Sequence, residues 1–423
     1  MTKICIETFG CTHNVSDSEQ MAGLLKEAKF EMVEKLEEAD MVIFNSCTVK
    51  GPSETNLFRT LEETKEKFPH IIIIVAGCVA QTAHKQLSNY TLIGTRQIHH
   101  VVEVVEEALN ENIIQMIATD EMPPLNLPRI RKSPIIGIIP LSRGCLGACS
   151  FCKTKAARGN LQSYPIEDIR KESAIAVKEG CKEIWLTSQD NGCYGFDLNT
   201  NLPNLLKELV KIPSSFKIRL GMMNPDHLKR IKDGLIEVMS DEKLFQFLHI
   251  PVQSGNNEIL KKMHRNYTRE EYLDLVQEIK KALPSLTIAT DIIVGFPEET
   301  EEQYSETQSL IRLSSPDVVN ISRFWCRPKT PAEGMDQLAG EVIKHRSRVL
   351  TDICHNIFRM QNERWRDWEG EVIVDEKGAN PREWKARNFA YKPVLLEGNF
   401  KLGDTVKVKV VRTTIFDLVG KVV

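Results

Sequence analysis

Residues Ile135–Cys152 read IIGIIPLSRGCLGACSFC, an apolar run from Ile135 to Leu141 followed at once by Cys145, Cys149 and Cys152 in a CxxxCxxC spacing. A short continuous apolar run is the pattern of a buried strand, so the three thiols gather on a loop at its carboxyl end. Three thiolates on one short loop suit a 4Fe-4S cluster with one iron left open. A closed structural zinc site needs four N or S ligands, usually as two separated CxxC pairs or Cys with His. No fourth Cys or His follows in this loop, and the spacing favours the cluster over zinc.

Beyond Leu141 the strand–helix alternation repeats. Strands are expected near Ile135–Leu141, Glu183–Ser188, Lys217–Gly221, Phe247–Val252, Thr287–Val294 and Val318–Phe324, with helices such as Ile166–Glu179 and Glu299–Leu313 between them. Six parallel units describe an incomplete (β/α)6 barrel, whose active residues lie at the carboxyl ends of its strands. That rule selects Ser188, Gln189 and Asp190, then Gln253 and Ser254, then Gly295 with the turn GFPEE. His249 reads as a satisfied core histidine, and Lys261, Lys262 and Arg265 as a solvated helix end.

The first hundred residues alternate in the same way. KICIETF precedes a helix opening near Asp17, DMVIFN precedes Glu54 to Lys67, and IIIIVAG precedes a shorter helix after Gln81. This predicts a parallel-sheet α/β domain covered on both faces. Cys11, Cys47 and Cys78 each fall just past a strand, at the sheet edge where ligands bind. Residues distant in sequence can thus converge into a second three-thiol cluster site. Asn14 and Asn45 beside this edge either bond the sulfurs or cap turns. Cys5, Cys181, Cys193, Cys326 and Cys354 lack ligand spacing and read as core or incidental thiols.

Four prolines in EMPPLNLPRIRKSP, residues 121–134, mark an extended linker. After a long amphipathic helix from Gly340 to about Asn362 the pattern changes to short β runs (EVIVDEK, KPVLLEG, DTVKVKVVRTT, LVGKVV), a small antiparallel β-barrel. From Lys377 onward ten Lys and Arg face four Asp and Glu, a basic excess suited to RNA phosphates. The resulting division is 1–120, 121–134, 135–362 and 363–423. A chain of 423 residues with a net charge of −3 fits several domains and excludes wholesale electrostatic binding. No apolar run approaches the ~20 residues of a membrane span, and a leaderless chain with many cysteines is expected to be cytoplasmic and to use them as metal ligands and buried thiols.

The motifs together resemble a known family. CxxxCxxC after the first barrel strand resembles the radical-SAM superfamily, and TFGCTHNVSDSE, FNSCTVKGPSE and AGCVAQ resemble the methylthiotransferases within it. CKTKAARGNLQSYP, LTSQDNGCYG, HIPVQSG and TIATDIIVGFPEET are similar to the archaeal and eukaryotic branch that modifies tRNA. The resemblance covers essentially the whole chain and implies an N-terminal methylthiotransferase domain, a radical-SAM core and a C-terminal TRAM-type RNA-binding barrel. It implies two 4Fe-4S clusters, an auxiliary one on Cys11, Cys47 and Cys78 and a radical one on Cys145, Cys149 and Cys152. S-adenosylmethionine (SAM) is implied as methyl donor and radical source, and the strand-end residues Ser188, Gln189, Gln253 and Gly295 are expected as its contacts. The implied reaction puts a methylthio group on carbon 2 of threonylcarbamoyladenosine just 3′ of the anticodon. A monomer acting on tRNA with an electron donor and a sulfur donor is expected. Lys153, Lys155 or Arg158 is expected to pair with the substrate carboxylate. Other readings are a methylthiotransferase for isopentenyladenosine or a ribosomal-protein aspartate, a non-enzymatic iron–sulfur RNA-binding redox protein, and a zinc-dependent RNA-binding scaffold.

Overall fold

Continuous apolar runs in the first hundred residues become a six-stranded, all-parallel sheet. Its elements are β1 (Lys3–Phe9), α1 (Thr12–Glu27), β2 (Glu31–Val33), β3 (Met41–Ser46), α2 (Gly51–Lys67), β4 (Ile72–Gly77), α3 (Cys78–Thr82), β5 (Thr91–Ile93), α4 (Val101–Leu109) and β6 (Gln115–Met116), with strand order β2-β1-β3-β4-β5-β6. Alternate residues feed two cores: Ile4, Ile43 and Ile74 pack under α1 and α4, while Val42, Phe44 and Val75 pack under α2 and α3. Burying each such side chain is worth about 2 kcal/mol, so the sheet is anchored through both faces. The structure, a computed structural model, describes residues 1–48, 51–118 and 120–423. Val49 and Lys50 of FNSCTVKGPSE lie outside them.

Two helices start earlier than the sequence suggests. α1 opens at Thr12, directly after an extended Cys11, and not near Asp17. α3 opens at Cys78 itself and not after Gln81. Neither start carries a side-chain cap, the signal by which a helix opening is ordinarily read. Asp17 therefore sits inside α1 and is fully buried.

Segment 121–134 holds no helix or strand and lies against α1: Gln20 Nε2 donates to the Leu125 carbonyl at 3.0 Å, and the Ile130 N–H to the Glu19 carbonyl at 2.9 Å. The second body follows: β7 (Ile136–Pro140), β8 (Ser142–Arg143), α5 (Thr154–Arg158), β9 (Gln162–Ser163), α6 (Ile166–Lys178), β10 (Glu183–Thr187), α7 (Leu202–Leu209), β11 (Lys217–Leu220), α8 (Pro225–Val238), β12 (Phe247–His249), α9 (Asn257–Lys262), α10 (Arg269–Ala282), β13 (Thr287–Val294), α11 (Glu301–Ser314), β14 (Val318–Arg323) and α12 (Gly340–Glu363). Strands β7, β10 and β11 form one parallel sheet and β12, β13 and β14 another. The Met223 N–H to the His249 carbonyl (2.9 Å) and the Phe245 N–H to the Ile218 carbonyl (3.0 Å) join them into one arc. With β7 and β14 left as open edges, this is the incomplete (β/α)6 barrel that the alternation predicts.

The last body is a closed barrel of β15 (Glu369–Lys377), β16 (Glu383–Arg387), β17 (Pro393–Glu397), β18 (Thr405–Thr413) and β19 (Leu418–Val422), antiparallel except for the parallel pair β17–β19. Its short, charged strand β16 is absent from the sequence-based expectation, because EWKAR has no apolar run to announce it. The turn after β16 inserts Tyr391 into the amino end of the central barrel, with ring centroids 4.9 Å from Phe245 and 5.2 Å from Phe247 and the Arg219 guanidinium 5.1 Å over its face. Among the described residues no helix is long and apolar enough to cross a membrane.

Candidate active site

Parallel register sets the first thiol trio. Phe9 pairs with Ser46 and Ser46 with Gly77, so the residues just beyond, Cys11, Cys47 and Cys78, emerge together at one sheet edge. The Cys47 thiol bonds to both neighbours; the Cys47 bond is the main cause that lowers Cys11 to about 6 and Cys78 to about 7, with the Arg158 charge acting in the same direction. Cys47 is raised in turn, because ionising it would forfeit both bonds. Asn14 accepts from Cys11 Sγ at 3.3 Å, and its Nδ2 donates to Asn45 Oδ1 at 3.0 Å. Asn14 therefore touches sulfur, while Asn45 holds Asn14.

Arg158 reaches this trio from the other body. Its guanidinium bonds to Cys78 and donates to Asp17 Oδ2 at 3.1 Å; Arg143 donates to Asp17 Oδ1 at 2.8 Å. Both arginines are fully buried. A buried cation needs such partners to offset its lost hydration. Arg158 is thus turned to Asp17 and Cys78, not to the open surface where a substrate carboxylate would arrive. Of its two companions, Lys153 pairs with Glu54 at 3.4 Å and Lys155 is exposed.

The second trio lies on the loop after β7. The Gly147 N–H donates to Cys145 Sγ at 3.2 Å and the Thr154 N–H to Cys152 Sγ at 3.3 Å. Arg265 Nη1 donates to Cys149 Sγ at 3.4 Å, while its other nitrogens bond to Tyr267 Oη (2.8 Å) and the Pro251 carbonyl (2.9 Å). This corrects the reading of Arg265 as part of a solvated helix end: the chain turns after α9 at His264, φ +57°, and carries Arg265 into the barrel mouth. Local sequence offers no sign of that turn. Burial, then the Asp190 charge, pushes the Cys145 thiol up to about 12.

A charged seam joins the trios. Glu54 accepts from Thr48 Oγ1 at 3.1 Å, pairs with Lys153, and lies 3.7 Å from Arg327. Arg327 also donates to the Thr48 carbonyl beside Cys47 and is close enough to Cys152 to feel its charge. Above this seam is a cleft of about 470 Å³ with Cys152 on one wall and the end of α3, the helix that Cys78 begins, on the other.

The other expected contacts are spread around the barrel mouth. Ser188 Oγ donates to Asn191 at 2.6 Å, and Gln189 is held 3.1 Å from His13 beside Cys11. Asp190 accepts from His227 Nδ1 at 2.6 Å and from the N–H of Gly192 at 2.9 Å. Gln253 bridges to Ile292 past β12, Ser254 is buried near Thr307, and the Gly295 N–H donates to Glu299 at 2.9 Å. His249 is not a core residue: it is half-buried and bonds Asp291 at 2.8 Å, which also accepts from Asn320 at 2.8 Å. Cys326 packs against the Phe296–Phe324 cluster.

Comparison with known proteins bears on all three bodies. Family models match in order: Uncharacterized protein family UPF0004 over residues 3–93, Radical SAM superfamily over 139–311 and TRAM domain over 369–423. The threonylcarbamoyladenosine tRNA methylthiotransferase of Drosophila melanogaster is 39% identical, covering 99% of this chain and 77% of that protein. The human protein of the same name is 38% identical over 94% of this chain and 70% of its own length. A Pyrococcus abyssi relative, "Probable threonylcarbamoyladenosine tRNA methylthiotransferase", is 40% identical over 96% of both chains. Among solved structures, the radical S-adenosylmethionine methyltransferase TsrM of Kitasatospora setae shares the fold, with a TM-score of 0.58, 13% identity and coverage of 78% and 75% of the two chains. The relatives are 38–40% identical over 94–99% of the chain, and on that ground the chain belongs to the threonylcarbamoyladenosine tRNA methylthiotransferase family.

Proposed function

We propose that this protein is a radical-SAM enzyme that places a methylthio group on carbon 2 of threonylcarbamoyladenosine in tRNA. The observation that carries the reading is the pair of three-thiol sites joined through Arg327, which feels the charge of both Cys47 and Cys152, in a chain of this family. The donor chemistry fits the implied groups. Each trio offers three sulfurs, and among the described residues the side chains seen to bond them include no further Cys or His, which suits a 4Fe-4S cluster with one open iron better than tetrahedral zinc. Each also has N–H or guanidinium donors already aimed at sulfur, the contacts that orient ligands and tune potential.

In this reading Cys145, Cys149 and Cys152 hold the radical-generating cluster, and Cys11, Cys47 and Cys78 the auxiliary one. When bound, these groups would supply a reducing electron and a SAM-derived radical at the Cys145, Cys149 and Cys152 site, and the sulfur to be transferred at the Cys11, Cys47 and Cys78 site. Ser188, Gln189, Gln253 and Gly295, past the ends of β10, β12 and β13, form the SAM side. Gln189, tied to His13, couples that side to the first trio. Arg265 and Arg158 each hold a fixed positive charge against one sulfur set. The Glu54–Lys153–Arg327 seam keeps the two bodies in register, so that one adenine reaches both.

RNA is met elsewhere. Lys421 on β19, with Lys407 and Arg412 on β18, forms a basic strip that suits phosphate, while Lys409 between them is paired with Glu369 at 2.9 Å. Trp325, 62% exposed on the loop after β14, offers a stacking face of the kind that holds unpaired bases. The enzyme works as a cytoplasmic monomer and takes electrons and sulfur from separate donors. The test is mass spectrometry of tRNA nucleosides from a strain lacking the gene. The methylthio form should disappear and threonylcarbamoyladenosine accumulate; loss of a methylthio isopentenyladenosine instead would refute the assignment.

A further inference from the structure

The substrate named above carries a carboxylate, and the cleft between Cys152 and the end of α3 has two lysines that make no ion pair among the described residues. Lys85, just past α3, and Lys329, on the loop after β14, both line it, both are exposed, and neither makes an ion pair among the described residues. The third lysine of the cleft, Lys153, is already paired with Glu54. Lys329 is also held in an unusual backbone state. Its φ is +64°, a left-handed conformation that disfavours a lysine by roughly 1 kcal/mol, and its own N–H is pinned to Glu333 Oε2 at 2.7 Å. Strain of this kind is kept where a side chain must be aimed.

Adenine geometry gives the cleft its occupant. Carbon 2 and the exocyclic N6 flank N1 on the same edge of the ring, so a base with carbon 2 between the trios projects its N6 substituent along that edge into the same opening. We propose that Lys85 and Lys329 together bind the carboxylate of the threonylcarbamoyl group, and that this contact selects the modified adenosine over unmodified or isoprenylated ones. This assignment rests on the reaction proposed above. Two ammonium groups lining one cleft suit one carboxylate; a free phosphate oxygen of the RNA backbone would meet them by the same chemistry, and the experiment separates the two.

Anticodon stem-loops bearing threonylcarbamoyladenosine as the free acid or as its methyl ester are titrated against the reconstituted wild-type protein and against Lys85→Met, Lys329→Met and the double variant. Wild type should bind the acid about tenfold more tightly than the ester, and the double variant should bind the acid no better than the ester. Lys85→Arg with Lys329→Arg should keep the preference for the acid. Equal wild-type affinity for both forms overturns the proposal. So does an equal loss for acid and ester in the variants, which would assign the lysines to backbone phosphate. If wild type fails to methylthiolate threonylcarbamoylated tRNA at all, it is the reaction assignment that fails.

Discussion

Arg158 and Arg265 stand in equivalent relations to the two trios. Each is buried, each donates to a sulfur or lies against it, and each is anchored by a second set of partners that fixes its direction. Replacing Arg158 with Met would leave Arg143 as the one arginine donor to Asp17 among the described residues and remove a donor from Cys78. Loss of such an outer partner typically weakens metal binding 10–100-fold. Arg158→Met protein, reconstituted anaerobically, should therefore hold about half the wild-type iron while still cleaving SAM on reduction; full iron content would show that the arginine is only structural. The six cysteines were legible in sequence because they sit beside strand ends. The arginines were not: Arg158 meets Asp17 across 141 residues and Arg265 meets Cys149 across 116, and no local pattern encodes a partner that tertiary folding supplies.

At the scale of elements, strand ends decide where sulfur goes. β4 stops at Gly77 with φ +86°, and a Cβ there would lie 2.2 Å from Asn45 Oδ1. Gly144, one residue before Cys145, has φ +79° and would set a Cβ 1.9 Å from the Asn160 carbonyl oxygen. Both positions need glycine, for backbone conformation and for space. Gly77→Ala should displace Cys78 from Cys47 and lower auxiliary iron as Arg158→Met does, with thermal stability reduced by about 2 kcal/mol; unchanged iron and stability would mean that the turn relaxes without cost. The strands themselves read clearly from their apolar runs. The openings of α1 and α3 did not, since neither carries a side-chain cap, and β16 did not, since charge hides it.

Across the whole molecule, the C-terminal barrel closes the floor of the central one, and that contact buries Glu183. Burial, with Asp375 adding to it, raises the Glu183 carboxyl to about 7. The folded state therefore binds this proton more tightly than the unfolded state, whose carboxyl titrates near 4.5. The group's contribution is full below that value and is lost as pH rises through about 7. Glu183→Gln keeps an acceptor for Trp185 Nε1, which donates to Glu183 at 2.7 Å, and removes the titration. The variant should match wild type near pH 4.5 and exceed it by about 3 kcal/mol at pH 8; a difference independent of pH, followed by thermal unfolding, would refute the linkage. This floor contact joins Tyr391 and Arg387 of one body to Trp185, Arg219 and Phe247 of another, and sequence gave no hint of it because each body reads as complete alone.

The central claim is that two thiol trios with separate tasks serve one adenine. It is tested by incubating threonylcarbamoylated tRNA with SAM and reductant under argon, using wild type and Cys78→Ala protein, and weighing the nucleosides and the SAM fragments. Wild type should give the 2-methylthio nucleoside, and Cys78→Ala should still cleave SAM reductively but give none of it. Methylthio product from Cys78→Ala at the wild-type rate would contradict the account.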